Sequence, residues 1–183
     1  MKVIGVVGLP GSGKGEFSRI AGEFEIPVIV MGDSIREYVR TSGQMLSDLS
    51  MGEASAELRA QMGRDAIAQL TIPRVEATGA EVVIIDGIRS EAEVSLFRDH
   101  FSDFCLVGVA SHFAVRLERI FGRGREDDVT SAEELTARDE RECGWGLDTA
   151  LAMADITVNN EASIEEYETA VRTLLHQCLK EEA

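Results

Sequence analysis

The stretch Gly8-Leu9-Pro10-Gly11-Ser12-Gly13-Lys14-Gly15 constrains this chain more than any other feature. Ahead of it, Val3–Val7 read as a buried strand; behind it, Lys14–Phe24 read as a helix. On that helix Phe17, Ile20, Ala21 and Phe24 recur at i, i+3, i+4 and i+7, one apolar face. Gly-x-x-x-x-Gly-Lys between a strand and a helix is a phosphate cradle. Glycines let backbone N–H groups converge on phosphate oxygens without Cβ clashes. The helix N-terminus adds partial positive charge, and the Lys14 ammonium reaches outer phosphates as a mobile point charge. The residue after Lys14 is Gly15 and the next is Glu16. The hydroxyl that usually ligates Mg2+ at the first of these positions is missing, so metal is held largely through phosphate oxygens and water.

The rest of the chain alternates short apolar runs with amphipathic ones, the pattern of an α/β fold with a parallel sheet. Further strands are expected at Pro27–Met31, Glu81–Ile85, Phe104–Val109 and Ile156–Val158. Helices are expected over Ser34–Thr41, over Glu53–Leu70 with a break near Gly63 and closure around Pro73, and over Phe113–Phe121. Ser90, Ser131 and Ser163 each stand three residues before a Glu, the capping box that opens a helix. Five strands with crossover helices describe a three-layer, doubly wound domain. With 183 residues the chain is read as one domain, able to bury a core without disulfide or metal support.

Composition narrows the function classes. Lys and Arg number 18 against 33 Asp and Glu, a formal charge of −15. Such a surface repels nucleic acid backbones in bulk, so a general nucleic acid binder is disfavoured. Of the basic residues 15 are Arg and 3 are Lys, a balance that suits a cytosol of high salt. No apolar run is long enough for a membrane span, and the N-terminus turns glycine-rich too early for a signal peptide. Cys105, Cys143 and Cys178 have no zinc spacing and read as reduced thiols of a cytoplasmic protein. His100, His112 and His176 likewise share no ligand spacing.

The octapeptide resembles the loop of adenylate kinase and related nucleoside monophosphate kinases, which also carry Gly after the Lys. Their next residue is usually Thr, where this chain has Glu16. Met31-Gly32-Asp33-Ser34-Ile35-Arg36 resembles their Gly-Asp-x-x-Arg segment, and Asp86-Gly87-Ile88-Arg89 their Asp-Gly-Phe-Pro-Arg segment, with Pro missing and Arg one residue closer. Arg119-Ile120-Phe121-Gly122-Arg123 is similar to the Arg-Ile-x-Gly-Arg segment before the lid. Arg125-Glu126-Asp127-Asp128 with Arg138 is similar to the lid pattern itself, here short and helical. Residues 154–166 resemble the closing segment of dephospho-coenzyme A kinase, a loop beside the donor's adenine. The whole chain, including Arg138-Asp139-Glu140-Arg141-Glu142 and Gly144-Trp145-Gly146, looks most like an archaeal family of adenylate-kinase-like P-loop proteins, for which ATP binding is the implied property.

The resemblance implies a P-loop NTPase fold of the nucleoside monophosphate kinase type. An acceptor-binding helical insertion is expected at about 34–76 and a short lid at about 123–141. It implies nucleotide binding by Gly8, Leu9, Pro10, Gly11, Ser12, Gly13, Lys14, Gly15, Arg119 and Asn160. Asp33, Arg36 and Arg89 would receive the acceptor, Asp86 would orient a water on Mg2+, and Lys14, Arg123, Arg125 and Arg138 would surround the transferring phosphoryl group. The expected partners are ATP and a small phosphorylated acceptor. A nucleoside monophosphate is favoured, dephospho-coenzyme A is the alternative, and an ATPase acting as an assembly factor is the reading from another class. Trp145 is read as a packing anchor, with stacking on a substrate the alternative, and Arg59 and Arg64 as either acceptor contacts or surface charges. Oligomeric state stays open.

Overall fold

The computed structural model describes the backbone of residues 1–123 and 128–180, with side chains for 1–122 and 128–179. β1 (Lys2–Val7) leads through the glycine loop into α1 (Lys14–Glu23), followed by β2 (Val28–Val30), α2 (Met31–Thr41), α3 (Asp48–Met62) and α4 (Ala66–Glu76). Then come β3 (Val82–Ile88), α5 (Glu91–His100), β4 (Asp103–Ala110), α6 (Phe113–Arg123), α7 (Ala132–Gly144), α8 (Leu147–Ala152), β5 (Ile156–Asn159) and α9 (Ile164–Lys180).

The strands form one parallel sheet in the order β2-β3-β1-β4-β5. Side-chain alternation along the central strands sorts the core into two faces. Val3 and Val7 of β1, with Val83 and Ile85 of β3, meet α2, α3, α4, α5 and α8. Ile4 and Val6, with Ile84 of β3 and Val107 of β4, meet α1 and α9. The three layers and the five parallel strands are those expected from the sequence. A smaller cluster of Ile120, Val129 and Leu135 joins α6 to α7.

Several element boundaries differ from the expectation. Met31 ends no strand; it opens α2 and is 1% exposed, because Met31, Ile35 and Val39 repeat at helical spacing on the core face. The break expected near Gly63 is where α3 ends and α4 begins, but α3 starts earlier, at Asp48, and α4 runs through Pro73 to Glu76. A proline inside a helix costs about 3 kcal/mol, while burying an Ile or Val contributes about 1.5–3 kcal/mol each. Ile67 at 1% and Val75 at 0% exposure lie on either side of Pro73 in sequence, so packing outweighs the break. β3 extends to Ile88 and carries Asp86 within it. The short helix α8, which the sequence reading lacks, starts after Gly146 in a left-handed conformation and buries Leu147 and Ala150.

The connection out of β1 leads across β3 to β2, whereas the chain leaves β4 toward β5. A crevice opens at the carboxyl ends where connections diverge, the usual ligand position in open α/β sheets.

Candidate active site

The glycine loop is held from behind by its carbonyls. Lys14 Nζ donates to the carbonyls of Gly8 at 2.5 Å and Leu9 at 3.1 Å. Arg116 donates to Pro10 O at 3.0 Å, Asn160 Nδ2 to Ser12 O at 2.9 Å, and the Tyr167 hydroxyl to Gly13 O at 3.1 Å. In a trans peptide the carbonyl and the following N–H point opposite ways. Turning these carbonyls onto the body of the protein therefore directs the amides of Gly11, Gly13 and Lys14 the other way, and those residues line the cleft. Gly13 is required outright: its φ is 114° and an added Cβ would sit 2.0 Å from Asn160 Nδ2.

The cleft has a volume of about 380 Å³. Of the residues singled out in the sequence, Pro10, Gly11, Gly13, Lys14, Gly15, Arg36, Asp86, Arg89, Arg119, Arg138 and Asn160 all line it. Ser12 is buried at 1% exposure, and Gly8 and Leu9 meet Lys14 through their carbonyls. Asp33 pairs with Arg36 at 2.8 Å on the first turn of α2. Arg125 lies outside the described residues, as does the side chain of Arg123. Arg119 donates to Asn160 Oδ1 at 2.9 Å and to Ser12 O at 3.3 Å, so it braces the loop as well as lining the cleft.

The side of the cleft opposite the glycine loop is a lattice of paired charge. Arg89 pairs with Glu142, and Arg138 Nε donates to the same carboxylate at 3.1 Å. Arg138 and Arg141 approach Asp48 at 3.3 and 2.7 Å. Arg59 meets Glu93 at 2.8 Å, and the Arg89 backbone N–H donates to the other Glu93 oxygen at 2.7 Å. Together with Arg36 and Asp33, five guanidiniums thus face four carboxylates. Burial, with Arg138 and Arg59 nearby, pushes the Arg89 guanidinium down to about 9, which leaves it cationic at neutral pH. Burial pushes the Glu93 carboxyl up, against the pull of Arg59. The lattice explains how a chain of charge −15 keeps cations in its cleft: each is fixed by a neighbouring carboxylate, some of them shared, rather than left to the bulk field.

A narrower extension of about 30 Å³ runs from Arg36, Arg89 and Arg138 toward α3 and Trp145. The Arg59 guanidinium lies 4.5 Å from the ring centroid of the half-buried Trp145 and that of Arg141 lies 5.9 Å away, so the ring packs against both cations at the end of this extension. Arg59 belongs to the charge lattice, whereas Arg64 is mostly exposed and pairs with Glu91.

The sequence reading missed four residues here. Ser18 Oγ lies 2.9 Å from Asp86 Oδ2. Arg116, 3% exposed, binds Asp139 through two contacts of 3.0 and 2.6 Å and so ties the loop to α7. Tyr167 reads in sequence as a core residue, yet its hydroxyl reaches the loop; burial pushes its pKa well above the usual phenol value, so it stays a neutral donor. Glu142 stands four residues after Arg138, a helical spacing that signals an ion pair but not its burial.

Mg2+ takes oxygen ligands, keeps several waters and is usually held by one or two carboxylates plus phosphate oxygens. Asp86, with one oxygen engaged by Ser18, and Glu16 both line the cleft, and this donor set suits that ion. Among the described residues no group of three His, Cys, Asp or Glu is arranged to hold a metal by itself. No described helix is long and apolar enough to cross a membrane.

A parallel sheet in this order, with the glycine loop at the carboxyl end of β1, defines a three-layer α/β protein of the P-loop fold. The chain belongs to the UPF0200 family, and residues 4–143 match the AAA_18 family model, described as an AAA domain. A UPF0200 protein of Methanoculleus marisnigri is 57% identical over 96% of both chains. One from Methanoregula boonei is 51% identical over 99% of this chain and 100% of its own. Among solved structures, shikimate kinase from Acinetobacter baumannii in complex with shikimate superposes with a TM-score of 0.63 at 15% identity, covering 99% of this chain and 94% of that one. TT1252 from Thermus thermophilus gives 0.63 at 18% identity over 96% and 97%. At such identities the likeness concerns the fold.

Proposed function

We propose that the protein is a phosphotransferase that moves the γ-phosphoryl group of Mg·ATP to a small phosphorylated acceptor, with a nucleoside monophosphate the favoured class. The observation that carries this reading is a single cleft. It is bounded on one side by the glycine loop and Lys14, on the other by Arg36, Arg89 and Arg138, and Asp86 lies in its lining.

In this reading the loop amides and Lys14 hold the β- and γ-phosphates. Arg119 and Asn160 support the loop and border the donor nucleotide, while Arg36 and Arg89 receive the acceptor's phosphate. Mg2+ when bound neutralises charge on the phosphate oxygens, with Asp86 and Glu16 as the carboxylates nearest that task. Arg138, together with Arg123 and Arg125 on the segment proposed as a short lid, faces the transferring group. Phosphoryl transfer needs positioning and charge stabilisation rather than a protein nucleophile, and fixed guanidiniums supply both. Arg suits the task better than Lys because its fork holds two oxygens at once. Closure over the cleft excludes water and favours the acceptor over hydrolysis.

The test is a coupled ADP-release screen over nucleoside monophosphates, deoxynucleotides and dephospho-coenzyme A, run at low and high KCl. ADP release that depends on one acceptor supports the kinase reading and names the substrate. Release without any acceptor, stimulated by a protein or ribosomal particle, replaces it with an ATPase factor.

A further inference from the structure

We infer that Ser18 positions Asp86 toward a nucleotide-bound divalent cation, taking up from one helical turn further along α1 part of the task left open by Gly15. The inference rests on the reading of the cleft as a Mg·nucleotide site. Lys14 is followed by glycine, so no side-chain oxygen stands at the first position of α1 after the lysine. Ser18 comes four residues after Lys14 and three after Gly15, which places it on their face of the helix.

Its hydroxyl has two acceptors within reach, the Lys14 carbonyl at 3.0 Å and Asp86 Oδ2 at 2.9 Å. A serine inside a helix ordinarily bonds back to the carbonyl four residues earlier. Here a carboxylate on β3, 68 residues away in sequence, competes for the same proton. A charged oxygen is the stronger acceptor, so the proton goes to Asp86. With Oδ2 engaged, Oδ1 is left to the cleft that Asp86 lines. At 8% exposure Asp86 has little water to orient it, and the hydroxyl fixes which oxygen faces inward. A fixed outer carboxylate matters for Mg2+ because this ion gives up its waters reluctantly and is reached through them. Partners that orient carboxylates ligating a metal directly are typically worth 10–100-fold in metal affinity, and a partner of a carboxylate acting through water falls at the lower end.

The test is calorimetric titration of ADP into the full chain at graded Mg2+ concentrations, for wild type, Ser18→Ala, Ser18→Thr and Ser18→Cys. In Ser18→Ala the Mg2+ concentration giving half of the full affinity gain rises about tenfold, the lower end of that range. ADP affinity without Mg2+ stays within about twofold of wild type, since the contacts that hold the carbonyls of Pro10, Ser12 and Gly13 do not involve Ser18. Ser18→Thr, which keeps the hydroxyl, restores the wild-type midpoint. Ser18→Cys keeps the side-chain shape with a slightly larger and weaker donor and gives an intermediate shift, so the inference stays testable where the alanine variant fails to fold. An unshifted Mg2+ midpoint in Ser18→Ala or Ser18→Cys, with normal wild-type binding, overturns this inference alone. No heat with wild type overturns the nucleotide reading and this inference with it.

Discussion

The guanidinium of Arg89 and the carboxylate of Glu142 form an ion pair that joins the end of β3 to α7, and Arg138 shares that carboxylate. Glu142 is 2% exposed, so its removal leaves two nearby guanidiniums without their common counter-charge. Breaking a buried pair from one side costs about 3–5 kcal/mol. Glu142→Ala is therefore expected to lower unfolding free energy by about that amount, read from urea denaturation followed by Trp145 fluorescence. A loss under about 1 kcal/mol contradicts the lattice.

Gly13→Ala tests the cradle. A Cβ there meets Asn160 Nδ2 at 2.0 Å, and φ of 114° disfavours any L side chain. Either Asn160 leaves Ser12 O or the loop shifts, and both spoil the convergence of amides. Nucleotide affinity is expected to fall at least about tenfold with the global fold retained, by calorimetry and circular dichroism. An unchanged affinity shows that the loop is not the donor site.

The fold was legible because its signals are local. Strand, glycine loop and helix announce themselves in residues 3–24, and alternation of apolar runs announces the parallel sheet. Pro73 misleads because tertiary burial of Ile67 and Val75 overrides a local rule. The site was legible on its glycine and arginine side. The carboxylates that answer those arginines, Glu93, Glu142 and Asp48, come from three different helices, and no spacing in the chain brings them together. The Ser18–Asp86 contact spans 68 residues and is equally silent in sequence.

Arg138 faces the cleft with its Nε tied to Glu142, which orients the rest of its fork. Arginines that stabilise phosphoryl transfer contribute about 10³–10⁵ in rate. Arg138→Ala and Arg123→Ala are each expected to lower turnover by at least ~10², by ADP release with the acceptor that the screen identifies. Wild-type turnover in both variants rejects the assignment.

The cysteines are expected to be inert. Burial, with Cys178 and Asp155 nearby, pushes the Cys105 thiol up to about 11, and burial raises Cys143 as well. At pH 8 roughly one Cys105 in a thousand is thiolate, and the thiolate is the reactive form. Labelling by iodoacetamide should be slow at pH 8 and speed up as pH rises toward 11. Fast labelling of Cys105 at pH 7 contradicts its environment.

The central claim is that the glycine loop and Lys14 clasp a nucleoside triphosphate at the carboxyl end of β1. Calorimetric titration of Mg·ATP into wild type and Lys14→Ala tests it most directly. The account predicts one saturable site in wild type and affinity at least about tenfold weaker in the variant, the worth of a charged hydrogen bond. No heat with wild type, or equal affinity in the two proteins, contradicts it.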